Sequence, residues 1–259
     1  AAKRSQSLWE SYKECEVHPY LENKKVLSYK LRIDDKGRLV IPLYDEDLSI
    51  VGLQYIDEKG KKLFLTGSKK SGSFFILGQE IFKTSDKIYL CEGYATAASI
   101  YKDMEQPVFV AFDAYNLLPV AEKLFSVPIL KERKFVFIAD NDEKSKTGEK
   151  EAKKACKFII KNKGRAEVLM PETQGDYNDH VNAVEGEVLP PLQVLDMNTE
   201  VDFVKSEKGR MLNIKDNVQA VMKMNAINVN YNVIKKKMEI EIPNMKFIAD
   251  MKEEASLVE

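Results

Sequence analysis

Four short apolar segments alternate with three amphipathic segments between residues 86 and 170, and this order strongly constrains the fold. The apolar segments have the length of buried strands, and the segments between them have apolar residues at helical spacing. The predicted strands are Lys87–Cys91, Pro107–Phe112, Phe135–Ala139 and Ala166–Met170, and the predicted helices are Tyr94–Met104, Asn116–Phe125 and residues 146–163. Alternating strands and helices form a parallel sheet with right-handed crossovers. The sequence therefore predicts an α/β fold with helices flanking a parallel sheet.

The segment before this region has a different pattern. From Tyr29 to about Leu77, short apolar runs are separated by the turn signals Asp35-Lys36-Gly37 and Glu58-Lys59-Gly60. Such runs predict a small antiparallel sheet. Residues 7–24 have apolar side chains at helical spacing and predict a helix.

The sequence changes again after Pro190-Pro191, where we predict a helix at Asn213–Met224 and a strand or hairpin at Val233–Ile242. The chain is thus expected to have three parts. These are an N-terminal mixed, β-rich subdomain (1–85), the α/β domain (86–187), and a linker with a small C-terminal extension (188–259).

Charge and cysteine content exclude several classes of protein. The 40 basic and 41 acidic residues nearly cancel, so the chain does not bind nucleic acid by bulk charge, although a focused basic channel is possible. Three scattered cysteines give no disulfide framework and indicate a reducing compartment, which favours the cytoplasm. No run of about 18 apolar residues is present, so no membrane association is expected. The start lacks both Met and a signal core, and we expect a longer natural chain.

Acidic residues follow two of the predicted strands. Glu92-Gly93 comes after the first strand, and Asp140-Asn141-Asp142 comes after the third. The carboxyl ends of parallel strands meet at one edge of a sheet, where such folds bind ligands. Three carboxylates there would repel each other unless cations lay between them, and hard cations such as Mg²⁺ prefer oxygen ligands. The pattern predicts a metal-dependent enzyme that acts on phosphates. The alternative is that Glu92 caps a helix and both aspartates belong to a polar loop.

Three further acids have two possible roles each. Asp113 ends the second strand, either as a helix cap before Asn116 or as part of the same edge. Asp176 and Asp179 follow the fourth strand, where they supply an outer ligand or belong to a structural turn after Gly175.

Basic residues lie near the acids. Between positions 144 and 165 there are nine basic and two acidic residues, and Lys144 and Lys146 are nearest to Asp142. They either contact phosphates or form a solvated helix face. Lys69 and Lys70, with the nearby Lys61 and Lys62, precede Phe74-Phe75. Lysines beside aromatic residues can bind single-stranded nucleic acid, although a buried strand pair explains the aromatics equally well.

An ordered set of motifs resembles one known family. The motifs are Cys91-Glu92-Gly93-Tyr94-Ala95-Thr96-Ala97-Ala98, Phe112-Asp113-Ala114-Tyr115-Asn116-Leu117-Leu118, Ala139-Asp140-Asn141-Asp142 and Asp176-Tyr177-Asn178-Asp179. Together they resemble the TOPRIM domain of phage and plasmid primases. Upstream, His18-Pro19-Tyr20-Leu21, Leu39-Val40-Ile41-Pro42-Leu43 and Gln54-Tyr55-Ile56 resemble the segment that precedes TOPRIM in these proteins.

The resemblance implies a TOPRIM-type sheet and a DNA primase that makes short RNA primers from ribonucleoside triphosphates on single-stranded DNA. It implies a catalytic Glu92 and magnesium-binding Asp140 and Asp142, with manganese as a possible substitute. Whether Glu92 binds metal or acts as a base stays open. It also implies a helicase domain or subunit as partner, and residues 197–259 weakly resemble the lead-in to a helicase part.

Two other functions fit the same residues. A TOPRIM nuclease would cleave phosphodiesters with the same acids, and a non-catalytic module would bind nucleic acid within a replication complex. No Gly-x-x-x-x-Gly-Lys-[Ser/Thr] motif is present, so this chain is not expected to be a P-loop ATPase. A topoisomerase is less favoured, because no cleavage tyrosine in a further domain is identified.

Overall fold

A six-stranded sheet forms the centre of the computed structural model, which describes residues 1–81, 84–142, 144–183, 192–195 and 197 and three strands within 228–250. The strand order is β11-β10-β9-β7-β8-β6. The strands are β6 (Phe75–Leu77), β7 (Lys87–Cys91), β8 (Val108–Val110), β9 (Lys134–Ile138), β10 (Arg165–Met170) and β11 (Gln193–Val194). Strands β7 to β10 are parallel to their neighbours, and β6 and β11 add antiparallel edges. The predicted parallel sheet is confirmed.

Helices connect the parallel strands, as the sequence pattern predicts. They are α3 (Tyr94–Met104), α4 (Leu117–Ser126), α5 (Pro128–Lys131), α6 (Thr147–Lys161) and α7 (Tyr177–Ala183). The predicted bounds of β7 and α3 are confirmed, whereas the strand predicted at Pro107–Phe112 is shorter. Phe112 has a φ of 71°, a left-handed conformation that a bulky residue rarely adopts, and it turns the chain out of the sheet. A short 3₁₀ helix follows at Ala114–Asn116.

The N-terminal region forms a five-stranded antiparallel sheet in the order β1-β2-β3-β4-β5. Its elements are α1 (Ala2–Ser11), β1 (Lys13–Glu14), α2 (Pro19–Lys24), β2 (Arg32–Ile33), β3 (Leu39–Tyr44), β4 (Ile50–Ile56) and β5 (Lys62–Phe64). Both predicted turns are present, with Gly37 and Gly60 at positive φ. The single helix predicted at residues 7–24 is wrong. Its second part restarts at Pro19, where the His18 ring accepts a hydrogen bond from the amide of Tyr20 and caps α2.

The two sheets share one hydrophobic core within residues 1–195. Leu31 and Ile41 from the N-terminal region are in the same buried cluster as Tyr94 from α3. The buried Tyr94 hydroxyl accepts a hydrogen bond from the amide of Tyr29 at 2.8 Å and donates one to the carbonyl of Leu27 at 2.9 Å. Because α3 begins just after Glu92, these bonds also fix the base of the candidate site.

A second compact unit comprises residues 196–259. It contains a three-stranded antiparallel sheet of β12 (Asn228–Asn232), β13 (Lys237–Ile242) and β14 (Met245–Asp250). The end of the predicted strand or hairpin corresponds to β13, and the helix predicted at 213–224 lies outside the described residues. No helix in the described part of the chain has the length and apolar character needed to cross a membrane. Cys15, Cys91 and Cys156 are buried and free.

Candidate active site

Glu92 lies at the carboxyl end of β7, immediately before α3. Its partly buried carboxylate accepts a hydrogen bond from the backbone amide of Ala114. Burial raises the pKa of Glu92 to about 7, and the negative charges of Asp113 and Asp176 add to the rise. Lys62 acts in the opposite direction. The Glu92 carboxyl therefore stays protonated to a higher pH than an ordinary glutamate does, unless a nearby positive charge stabilises its ionised form.

Asp140 lies at the carboxyl end of the neighbouring strand β9. Burial raises the pKa of its carboxyl to about 8, and the charge of Glu92 is the next largest cause, ahead of Asp176. The Oδ1 atom of Asp140 is buried and has no hydrogen-bond partner among the described residues. A buried carboxylate oxygen without a donor is costly, so this atom is suited to a cation.

The first turn of α6 packs against both acids. A Cβ atom added to Gly148 would lie 2.7 Å from Glu92 Oε1 and 3.1 Å from the backbone oxygen of Asp140. Any larger residue would therefore displace the Glu92 carboxylate from its present position. The close approach also places the amino end of α6, where helix amides are unpaired, near the two carboxylates.

Replacing Gly148 by alanine should reduce the catalytic rate roughly 10- to 100-fold, because a displacement of about 1 Å at a reacting group has that effect. The fold should be retained, because the atom met first is the end of a Glu side chain. Gly93→Ala is the matched comparison, since its added Cβ would meet only Lys62 Nζ at 3.6 Å. Steady-state kinetics and thermal unfolding of both variants check this expectation. An equal loss in the two variants would contradict it.

Asp142 does not join Glu92 and Asp140. Its exposed carboxylate accepts hydrogen bonds from the Ser145 hydroxyl at 2.5 Å and the Lys144 amide at 3.1 Å. Alternate residues of an extended segment would face one side, but Asp140 Oδ1 is buried and the Asp142 carboxylate is exposed. Asn141 pairs with Gly175 through two backbone hydrogen bonds, and the chain turns immediately afterwards.

No three His, Cys, Asp or Glu side chains are placed to hold one metal ion within the part of the chain that the structure describes. Glu92 and Asp140 therefore form a carboxylate pair at this edge, and the metal-binding role predicted for Asp142 stays a prediction.

Asp176 lies near this pair, immediately before α7. Its position follows from the Asn141–Gly175 pairing, which brings the segment before α7 against the end of β9. Asp176 Oδ1 accepts the backbone amide of Asp179 at 2.8 Å, so the residue also shapes the start of α7. This hydrogen bond fits a structural turn, and the Asp176 charge also acts on Glu92 and Asp140, so its role as an outer ligand stays a prediction.

Lys24 contacts the acidic side chains from α2. Its Nζ lies 2.9 Å from Asp179 Oδ1 and 3.8 Å from Asp176 Oδ2. Burial of the ammonium lowers the pKa of Lys24, but the bond to Asp179 and the charges of Asp176 and Asp140 outweigh it, so the pKa is raised. Sequence reasoning missed Lys24, because nothing in the local pattern links α2 to α7.

Asp113 has the predicted role of a cap. Its Oδ1 accepts the amide of Asn116 at 3.0 Å, and its other oxygen pairs with Lys70. Lys70 is therefore already engaged next to the site. Lys69, Lys144 and Lys146 are exposed and lie in loops on the surface.

Lys62 reaches the acids from β5 of the N-terminal sheet. Its Nζ lies 3.6 Å from the position of a Cβ added to Gly93, and its charge lowers the pKa of both Glu92 and Asp140. In the sequence Lys62 was one of four lysines considered for nucleic-acid contact. Local sequence indicates this role of Lys62 only weakly, because only the tertiary structure places β5 over the edge of the six-stranded sheet.

A cavity of about 610 Å³ opens beside Glu92 between the two sheets. Residues from α2, β5, α3 and α7 line it, among them Lys24, Lys62, Gly93, Thr96, Asp176 and Asp179. Gly93 precedes α3 without a side-chain cap, so amides at the start of this helix face the cavity region. The volume and the mixed charges suit a small anionic ligand with bound cations.

Sequence comparisons identify the central domain. Residues 87–185 match the family model described as Toprim domain. The chain is 29% identical to DNA primase TraC of Escherichia coli over 187 residues, which is 65% of this chain. A further DNA primase TraC of Escherichia coli is 34% identical over 109 residues, or 41% of this chain. The chain spans 17% and 8% of the length of these two relatives.

Solved structures resemble this fold. The primase fragment of the bacteriophage T7 primase-helicase protein has a TM-score of 0.51 at 18% identity, over 68% of this chain and 73% of that one. The DnaG primase catalytic domain bound to single-stranded DNA has a TM-score of 0.52 at 12% identity, over 70% and 74%. At these identities the likeness establishes the fold alone. Residues 87–185 thus match the Toprim domain, and the resemblance to Toprim primases of phage and plasmid type is confirmed.

Proposed function

We propose that this chain is the catalytic core of a DNA primase that synthesises short RNA primers from ribonucleoside triphosphates on single-stranded DNA. The observation that carries the proposal is the buried pair of Glu92 and Asp140 at the carboxyl edge of the Toprim sheet. Two sequence relatives are DNA primases, which supports this reaction, and the fold agrees with it.

Toprim primases generally depend on a divalent metal ion. The unpartnered Oδ1 of Asp140 and the adjacent Glu92 carboxylate fit such an ion. Magnesium commonly binds one or two carboxylates and completes its shell with water and substrate phosphates. We therefore propose Mg²⁺, or Mn²⁺, held by Glu92 and Asp140. When bound, it would neutralise charge on the phosphates.

Asp142 and Asp176 act indirectly in this proposal, by shaping the site and its charge. Asp142 closes the turn before α6 and thereby positions Gly148 against Glu92. Asp176 adds negative charge near the pair. Asp142 could approach a cation directly only if its present hydrogen bonds were rearranged.

The chain's own groups can bind and orient the triphosphate. The Lys62 ammonium and the free amides at the start of α3 face the same region as the carboxylate pair, so they would hold phosphate oxygens beside it. Glu92, with its raised pKa, can hold a proton near neutral pH. This suits a role as proton acceptor for the attacking hydroxyl as well as that of a ligand.

Exposed lysines around the site would contact the template. We propose that Lys144, Lys146 and Lys69 bind DNA phosphates, with Lys70 beside them in its pair with Asp113. The T7 relative is a fragment of a primase-helicase protein, so we propose a helicase domain or subunit as partner. The free cysteines are suited to a reducing cytoplasm.

Incubation with single-stranded DNA, labelled ribonucleoside triphosphates and Mg²⁺ tests the proposal. We expect short labelled RNA products that depend on both the template and the metal. Template shortened in the absence of nucleotides would instead favour the Toprim nuclease. Binding of DNA without any product at saturating Mg²⁺ would favour the non-catalytic module and contradict the proposal.

A further inference from the structure

Charged side chains of both signs line the cavity beside the carboxylate pair. The lining contains four ammonium groups, from Lys24, Lys25, Lys59 and Lys62, and three carboxylates, from Glu58, Asp176 and Asp179. Lys62 lies near Gly93, and Lys24 lies against Asp176 and Asp179. Of these four lysines, Lys24 alone forms an ion pair within the described part of the chain.

The backbone of Lys24 is held by hydrogen bonds, whereas its ammonium group is partly exposed. Its carbonyl accepts hydrogen bonds from the side-chain amides of Asn178 at 2.7 Å and Asn182 at 3.1 Å, which tie α2 to α7. These bonds do not involve the ammonium group. The side chain is 31% exposed, so its end can move into solvent without undocking α2.

Asp176 connects Lys24 to the carboxylate pair. Its Oδ1 accepts the amide of Asp179, while its Oδ2 faces Lys24 at a distance of 3.8 Å. Oδ2 is thus engaged by charge alone, in a contact that is easily exchanged. A cation beside Asp140 would attract the same oxygen and repel the Lys24 ammonium.

We propose that Lys24 is an internal counterion of the site, which neutralises Asp176 and Asp179 before metal binding and is displaced when a divalent cation binds beside Asp140. The inference rests on the proposed metal site. It makes Lys24 a competitor for the metal rather than a ligand of the substrate. The Lys24 ammonium then becomes available to the anion that accompanies the cation into the cavity.

Mn²⁺ binding to the whole chain, measured by electron paramagnetic resonance of free Mn²⁺ without nucleotide or DNA, tests this role. Lys24→Met should bind Mn²⁺ about three- to tenfold more tightly than the wild-type protein, the range expected for removing one partly screened like charge. Added NaCl should reduce the difference. Lys102→Met is the control, since Lys102 is an exposed lysine on α3 that does not line this cavity, and the Mn²⁺ affinity of that variant should be unchanged.

A measurement on the wild-type protein avoids dependence on the fold of the variant. The ¹H–¹⁵N resonance of the Lys24 ammonium should shift during Mg²⁺ titration, as its bond to Asp179 is lost. Unchanged or weaker Mn²⁺ binding by Lys24→Met, or a Lys24 resonance that ignores Mg²⁺, would overturn the inference. If the wild-type protein makes no primers but Lys24→Met still binds Mn²⁺ more tightly, the proposed function fails and the counterion role stands.

Discussion

Replacing Asp140 by asparagine is expected to lower primer synthesis by roughly a thousandfold, the scale on which a preorganised electrostatic group contributes to a rate. Asp140 supplies the buried oxygen that has no protein donor among the described residues, and an amide cannot provide the same charge. The variant should nevertheless fold. Removing a buried, poorly compensated charge should even stabilise the metal-free protein at pH 8. Single-turnover primer synthesis and chemical denaturation of the same preparation measure the two effects.

Asp142→Asn is the matched control for this substitution. Both residues belong to the same Asp-x-Asp segment, but the Asp142 carboxylate binds Ser145 and Lys144 within its own turn. We therefore expect a loss at least tenfold smaller than for Asp140, on the scale of a positioning defect. Equal losses in the two variants would show that the turn rearranges to bring Asp142 to the cation, and would refute the two-carboxylate site.

The metal-free protein should lose roughly 4 kcal/mol of stability between pH 6 and pH 9. The folded state raises the pKa of Asp140 to about 8 and that of Glu92 to about 7, whereas both groups titrate near 4 when unfolded. The folded state thus binds more protons across this interval, so rising pH favours unfolding. The two groups titrate as a pair, and the pH dependence belongs to both. Urea denaturation in EDTA at a series of pH values gives this dependence.

Two further measurements test whether the carboxylate pair causes this pH dependence. Asp140→Asn should flatten the pH dependence, and saturating Mg²⁺ should restore the stability of the wild-type protein at pH 9, because a ligand that binds only the folded state stabilises it. The carboxylates with lowered pKa values, such as Asp34, are already ionised at pH 6 and do not contribute. A metal-free stability that stays level or rises from pH 6 to pH 9 would contradict the proposed burial of the pair.

Local sequence patterns were sufficient for the Toprim sheet and for two of its acids. The strand β7, the helix α3 and the sharp change from apolar residues to Glu92 are all encoded within a short segment, so periodicity reveals them. The same holds for Asp140 at the end of β9. Parallel strands place these two ends at one edge, and no long-range information is needed to bring them together.

The rest of the site depends on contacts between distant segments. The Asn141–Gly175 pairing decides that Asp142 turns outward and that Asp176 turns inward, and neither residue's local pattern indicates it. Lys24 lies in α2 and Lys62 lies in β5, and both elements belong to the N-terminal region. Their roles became visible only once α2 and β5 were packed over the Toprim edge.

The hydrogen bonds of the Tyr94 hydroxyl limit where this protein can be divided into separate domains. It serves two main-chain groups of the Leu27–Tyr29 segment, yet Tyr94 itself lies within the segment that matches the Toprim family. The segment that matches the Toprim family is thus shorter than the segment that packs around the shared hydrophobic core. Domain exchange or truncation at residue 87 would cut through shared interior, and a transplantable module would have to begin near the amino end of the chain.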